Sequence, residues 1–349
     1  MVISTRTRQA KVVPNVETVT TTRKRKRGHE DVGVIKADND IHQKDTYPSK
    51  RQQPTPDSTT SDTKESKSDL KSRKLATFAS SVGRSPFPDF ERPTVVEAKR
   101  AHEILASLHG KRTRPKTVVA NPNRAGCGDS PSVLDALVRT ILSQNTSDTN
   151  STRAKKSMDA TYGGSDHWED IVAGGQEKLE ESIRSGGLSK TKSKVIISIL
   201  EQVKEKYGKY SLDHLFSATN EEAMEEMISF QGVGPKTASC VLLFCLQRES
   251  FAVDTHVHRI TGLLGWRPAK ATRDQTHTHL DVRIPDEDKY GLHILFVSHG
   301  KKCPECGAGG KSTGKCELRK VFRNGKFEDE IIVKKEKRVK VKNEKVEED

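Results

Sequence analysis

Across residues 132–246 the apolar side chains return every three or four positions, segment after segment, and no stretch alternates apolar and polar residues as a half-buried strand does. In SVLDALVRTILSQ (residues 132–144), Val133, Leu134, Leu137, Val138, Ile141 and Leu142 fall on one face, with Pro131 just ahead, where first-turn prolines stand. A more polar helix, TNSTRAKKSMDATY, ends at Gly163-Gly164, and a third, EKLEESIRS, stops at Gly186-Gly187. A fourth, KSKVIISILEQVKEKYG, turns Val195, Ile196, Ile199, Leu200 and Val203 inward. SLDHLFSA reads as a short fifth and NEEAMEEMISF as a sixth, with Asn220 as its N-cap and acids in its first turn. A chain patterned this way is all-α.

The apolar residues are concentrated in the middle. Over all 349 residues only 32% are hydrophobic, against roughly 45–50% in a globular chain. Residues 1–91 and 322–349 are polar, charged and without period, so they bury too little surface to offset chain entropy and are expected to be disordered tails. Residues 92–321 remain for the folded part, enough for one domain or two small lobes. The net charge is 61 − 48 = +13, and residues 1–90, with 18 basic and 11 acidic side chains, hold 18 − 11 = +7 of it. Such a tail attracts phosphates without specificity; specific chemistry has to come from the ordered part.

No run approaches the ~18 apolar residues of a membrane span, so no membrane partner is expected, and no secretory apolar region opens the chain. Six cysteines without a secretory signal fit a reducing compartment, where they serve as metal ligands or core residues rather than disulfides. The RKRKR run at residues 23–27 suits nuclear import. The acid-free start, MVISTRTRQAKVVPNV, shares its Arg and Ser/Thr content with mitochondrial presequences, although Pro14 counts against it. The nucleus is the expected location, with the mitochondrion as alternative.

The informative segment begins where the sixth helix ends. Gln231-Gly232-Val233-Gly234-Pro235 joins that helix to a new one over residues 236–246, so two helices meet at a tight Gly-x-Gly turn, a helix-hairpin-helix. The glycines allow φ > 0 and close backbone approach, and the N–H groups opening the second helix make an anion site that suits a DNA phosphate. A bare GVG also fits an ordinary helix connection with a glycine cap. Lys236 stands in the first turn of the new helix, among partly unpaired amides whose positive field lowers an amine's pKa. Eighteen residues later Asp254 follows an apolar Phe251-Ala252-Val253 approach and opens another helix. A deprotonated lysine beside a carboxylate is what Schiff-base chemistry at a sugar carbon needs: a nucleophile, and a group that moves protons and steadies positive charge. Taken singly, an exposed helix lysine and an N-cap aspartate explain the two residues equally well.

Together, QGVGPKTASCV and, at this spacing, FAVDTHVHRI resemble the signature of the helix-hairpin-helix (HhH-GPD) base-excision DNA glycosylases, and within them the endonuclease III-like branch. The resemblance spans residues 134–300. LSQNTSDTNS (residues 142–151) resembles that branch's loop whose glutamine fills the space left by an extruded base, a role carried to Gln144. SGGLSKTKSKVI resembles a segment that makes a further DNA backbone contact, and LLGWRP and LFVSHGKKC also fit.

The resemblance implies a two-lobed all-α fold: residues 131–255 as a helical barrel carrying the hairpin, and residues 92–130 with 256–321 as the second lobe. It implies a monomer that bends duplex DNA bearing a damaged base or abasic site and flips the nucleotide out. Lys236 would attack C1′, with Asp254 activating it and stabilising the oxocarbenium ion, and the Schiff base would then permit β-elimination. The chain is thus expected to be a bifunctional glycosylase and abasic-site lyase for oxidised pyrimidines, since relatives that only remove the base usually lack this lysine. The main-chain N–H groups of the Gly232-Val233-Gly234 turn would hold a phosphate. Two alternatives stand beside this: a glycosylase for modified or mismatched pyrimidines, 5-methylcytosine included, and a noncatalytic DNA-binding protein that keeps the hairpin alone.

One departure concerns the C-terminal cysteines. The endonuclease III branch commonly carries C-x6-C-x2-C-x5-C around an iron–sulfur cluster. This chain has Cys303, Cys306 and Cys316, three cysteines with a stretched last interval, which cannot supply four thiolates. Cys127 is distant, and Cys240 and Cys245 belong to the hairpin unit. The expectation is that no cofactor is required for chemistry and that this loop holds no metal. Zinc completed by His299 is the second reading, and an unusual iron–sulfur site the third.

Overall fold

The structure is a computed structural model and describes residues 72, 73, 75, 76, 78–80, 82–120, 126, 130–164, 166–322 and 327. The basic run at residues 23–27, most of both expected tails and Cys127 lie outside the described residues. There is no strand among the described residues, and beside helical residues at 72, 73, 75, 76 and 78–80, eleven α-helices have defined bounds. They are α1 (Val95–His109), α2 (Val133–Leu142), α3 (Asp148–Tyr162), α4 (Trp168–Ser182), α5 (Ser189–Tyr207), α6 (Asn220–Ser229), α7 (Pro235–Phe244), α8 (Thr255–Leu263), α9 (Arg273–Arg283), α10 (Asp286–Lys302) and α11 (Glu317–Val321). None of them is long and apolar enough to cross a membrane.

Helix α2 is the axis of the first core. All ten of its residues are buried, and α3, α5 and α7 pack around it. Truncating one of its leucines to alanine would cost about 2–5 kcal/mol. Its two charged residues are buried as a pair, Arg139 Nε donating to Asp135 Oδ2 at 2.6 Å, with Lys155 of α3 bonded to Asp159 at 2.5 Å beside them. The second core gathers α1, α8, α10 and α11 around Trp266, Phe296 and Phe322, whose rings meet edge-on. The first core uses residues 133–246, with Leu75 and Phe78 packed against it; the second begins again at Phe251.

Four local expectations change. The segment at residues 82–91 is not a loose tail: Phe87 and Phe90 set their ring edges against His279 at 5.7 and 5.5 Å, and Arg283 donates to the Phe90 carbonyl. A proline-interrupted SPFPDF peptide packs irregularly, so it leaves no periodic signal. The folded part also extends past residue 321, because Phe322 and Phe327 stack at 5.2 Å in the second core. Helix α6 is capped by Thr219 rather than Asn220, since a hydroxyl three residues before Glu222 completes a reciprocal capping box. Helix α4 starts at Trp168, well before the EKLEESIRS segment, and Gly175 at φ +75° breaks its apolar repeat mid-way.

Lys192 of α5 is buried, 3% exposed, and donates to the carbonyls of Leu142 (2.8 Å) and Gly186 (2.9 Å), joining the end of α2 to the turn before α5. Burial pushes its amine down from 10.5 to about 8. In the window between those values the unfolded chain keeps a proton that the folded chain has released, so this group's contribution to stability rises with pH there. Denaturant unfolding should show wild type gaining on Lys192→Met as pH rises from about 8 towards 10.5; a constant gap would mean that the amine titrates normally.

Candidate active site

Helix α6 ends at Phe230, whose extended backbone leads into the turn. Gly232 adopts φ +88°, and a Cβ there would sit 2.7 Å from a Val195 methyl, so both the torsion and the close seat on α5 demand glycine. Val233 drops into the first core and is 1% exposed. Gly234 is different. It caps α7 with φ −113° and ψ 175°, a conformation open to any residue, and a Cβ added there meets nothing within 4 Å. Nothing inside the protein requires glycine at that position. Its carbonyl accepts from Thr237 N and Ala238 N, and Pro235 fills the first helical position without an N–H.

Lys236 lies in the first turn of α7 and is partly exposed. Asp254 is partly exposed and caps α8, its Oδ1 accepting from Val257 N at 2.8 Å. The backbone leading to Asp254 is pinned from both lobes. On the first-lobe side, Ser250 Oγ and Ser239 Oγ of α7 are 2.7 Å apart in a buried contact. On the second-lobe side, His277 Nδ1 donates to the Phe251 carbonyl and His293 Nδ1 to the Ala252 carbonyl, each at 2.8 Å, while Asp281 Oδ1 accepts from Phe251 N at 2.5 Å.

Gln144 is brought to the hairpin, where its Nε2 donates to Thr237 Oγ1 at 2.9 Å, one residue beyond Lys236. The loop it occupies is held by Lys192 at the Leu142 carbonyl and by Asp148 Oδ2, which accepts from Lys301 Nζ of α10 at 2.7 Å. Leu188, in the SGGLSKTKSKVI segment, takes φ +52° at the start of α5 and is exposed. The chain thus offers one nucleophile candidate on α7, one carboxylate at the cap of α8, a glutamine bonded to α7 and an N-cap glycine open on its outer side. A cavity of about 1410 Å³ touches the hairpin at Gln231, Gly232 and Pro235 but takes in none of Lys236, Gln144 and Asp254. Its charged lining is mostly acidic, seven carboxylates against Arg73 and Lys289, a balance that disfavours a polyanion inside it.

His299, Cys303, Cys306 and Cys316 come together as well, with their ligand atoms all within 4.8 Å of one another, a group able to hold a metal. The positioning residues Thr237, His277, Asp281, His293 and Lys192 were not legible in the sequence. His277 and Asp281 sit in a polar helix segment and His293 in an apolar one, where a lone histidine gives no sign of its partner; only Thr237, adjacent to Lys236, carried a positional hint.

The HhH-GPD superfamily of base excision DNA repair proteins matches over residues 138–286. An Arabidopsis thaliana protein with a provisional DNA glycosylase designation is 38% identical over 258 residues, 69% of this chain and 87% of the relative. Endonuclease III of Thermotoga maritima is 32% identical over 179 residues, 49% of this chain and 78% of that enzyme. The DNA glycosylase/AP lyase ROS1 of Arabidopsis thaliana is 32% identical over 151 residues, 38% of this chain but 11% of that protein. Among solved structures, a non-covalent endonuclease III–DNA complex aligns with a TM-score of 0.52 at 22% identity, covering 66% of this chain and 96% of that one, a likeness of fold. The chain is a DNA glycosylase and belongs to the HhH-GPD superfamily of base excision DNA repair proteins, in its endonuclease III-like branch.

Proposed function

We propose that this glycosylase is bifunctional, removing a damaged pyrimidine, oxidised bases foremost, from duplex DNA and then cutting the strand at the resulting abasic site. The observation that carries the reading is the bond that brings Gln144 to Thr237, next to Lys236 behind the hairpin, with Asp254 at the cap of the helix that follows. In the proposed reaction the Lys236 amine bonds to C1′ while the glycosidic bond breaks and its electron pair leaves with the base. Asp254 takes the lysine proton and offsets charge on the sugar. Opening of the sugar ring gives the imine, which acidifies the 2′ position; loss of a 2′ proton expels the 3′ phosphate. Gln144 stands in the gap in the stack, and the turn from Gly232 to Gly234 holds a backbone phosphate.

The enzyme acts in this reading as a monomer, with residues 23–27 proposed as its nuclear import signal. A second reading, a glycosylase for modified or mismatched pyrimidines, has the likeness to the DNA glycosylase/AP lyase ROS1 in its favour. A panel of duplexes carrying thymine glycol, 5-methylcytosine or a mismatched thymine decides between them.

Incubation with abasic DNA and borohydride should yield a covalent adduct that Lys236→Gln abolishes; no adduct with any of these substrates would overturn the lyase step and leave a glycosylase that only removes the base. Asp254→Asn keeps a good N-cap, so it should unfold like the wild type while base excision slows by ~10²–10⁴-fold. Gly234→Ala meets no internal obstacle, so it should cost at most about 1 kcal/mol of stability yet weaken duplex binding ~10-fold through one lost phosphate contact. Unchanged affinity, measured by fluorescence anisotropy at fixed salt, would remove the hairpin from the interface.

A further inference from the structure

The loop after α10 departs from the four-thiolate pattern in its residues and, more tellingly, in its geometry. Cys306 Sγ and Cys316 Sγ are 3.8 Å apart, and Cys316 Sγ is 3.4 Å from His299 Nε2. Tetrahedral zinc, with Zn–S near 2.3 Å and Zn–N near 2.0–2.1 Å, sets sulfurs about 3.8 Å from one another and sulfur about 3.5 Å from nitrogen. A four-iron cube holds its outer ligands farther apart, because iron–iron edges lie between them, and it takes four thiolates in this branch. Four ligand atoms within 4.8 Å of one another leave no room for it. The sulfur separation is also far from a disulfide bond, and all three cysteines are free thiols.

The surroundings are built for such a centre. His299 and Cys303 stand one turn apart at the end of α10, and the Cys303 carbonyl accepts from Gly307 N at 2.8 Å, turning the chain so that Cys306 faces back. The long interval before Cys316 is organised by Glu305, 2% exposed, whose Oε1 accepts from Thr313 Oγ1 (2.8 Å), Lys315 N (2.7 Å) and Cys316 N (2.8 Å). His299 Nδ1 is 2.9 Å from His109 Nε2 of α1; a proton on His299 Nδ1, donated to His109, leaves Nε2 as the free ligand lone pair, the outer-shell arrangement that orients metal-bound histidines.

We propose that His299, Cys303, Cys306 and Cys316 bind one zinc ion in place of the branch's iron–sulfur cluster. All four positions are protein ligands, so the site is closed and structural rather than catalytic. Its reach extends towards the cleft: Arg259 of α8 donates to the Cys306 carbonyl at 2.8 Å and to the Gly300 carbonyl at 3.2 Å, so the centre anchors the helix that Asp254 caps.

The full chain, purified from medium supplied with both zinc and iron, should contain one zinc per molecule by elemental analysis, with no acid-labile sulfide. Cobalt(II) added to the zinc-stripped protein should give the intense visible bands of a tetrahedral site with thiolate charge transfer. Zinc added afterwards should bleach them. Cys316→Ser and His299→Gln should each lose metal at least tenfold more readily to a chelator. Iron with stoichiometric sulfide would overturn the proposal, as would metal-free protein or a weak octahedral cobalt spectrum; the cobalt titration is read on the wild-type chain, so it decides even where a variant fails to fold.

Discussion

The cleft depends on how the backbone at residues 250–254 is held. This short extended stretch carries the chain from the first core to the second, and its polar groups are buried without a helix or sheet to satisfy them. Groups of that kind must find partners or forfeit roughly 1–3 kcal/mol each. Here the partners come from both sides: Ser239 at Ser250, then Asp281 and His277 at Phe251, then His293 at Ala252. Because hydrogen bonds are directional, each fixes an angle as well as a distance, and the sum sets where Asp254 stands relative to α7 and its lysine. Arg114 reinforces the crossing with bonds to Glu249 and the Gln247 carbonyl.

The charge of the molecule is sorted in the same way. A net charge of +13 says little until its placement is known. The carboxylates of Glu201, Glu205, Glu221, Asp274 and Asp281 face one large cavity that reaches the hairpin at Gln231, Gly232 and Pro235, while Lys236 and Gln144 lie outside its lining. A polyanion is thereby repelled from that acidic cavity and favoured on the Lys236 side of the hairpin.

Much of this was legible beforehand. The period of α2 and α5 named their buried residues, and the order Gly-x-Gly-Pro-Lys, then Asp, pointed to the chemistry, because chemistry-bearing motifs are short and local. What was hidden is non-local. The SPFPDF peptide and the histidines of α9 and α10 owe their burial to partners some 26 to 194 residues away, and no window of sequence holds both halves of such a contact. The C-terminal group was half visible: three cysteines showed in the spacing, but their coincidence with His299 depends on the bonds of Glu305, which folds back the interval that looked too long.

The two cores differ in how the chain supplies them. The first is drawn almost wholly from one continuous stretch, residues 133–246, whereas the second needs α1 from one end and α8 to α11 from the other. Contacts between distant residues close late, since long loops must be ordered before they are rewarded. During synthesis the hairpin lobe can therefore complete its burial while α1 waits, its apolar face uncovered, for α10 to emerge. The His109–His299 contact, spanning 190 residues, would be among the last to form, making the C-terminal centre the latch that ends folding.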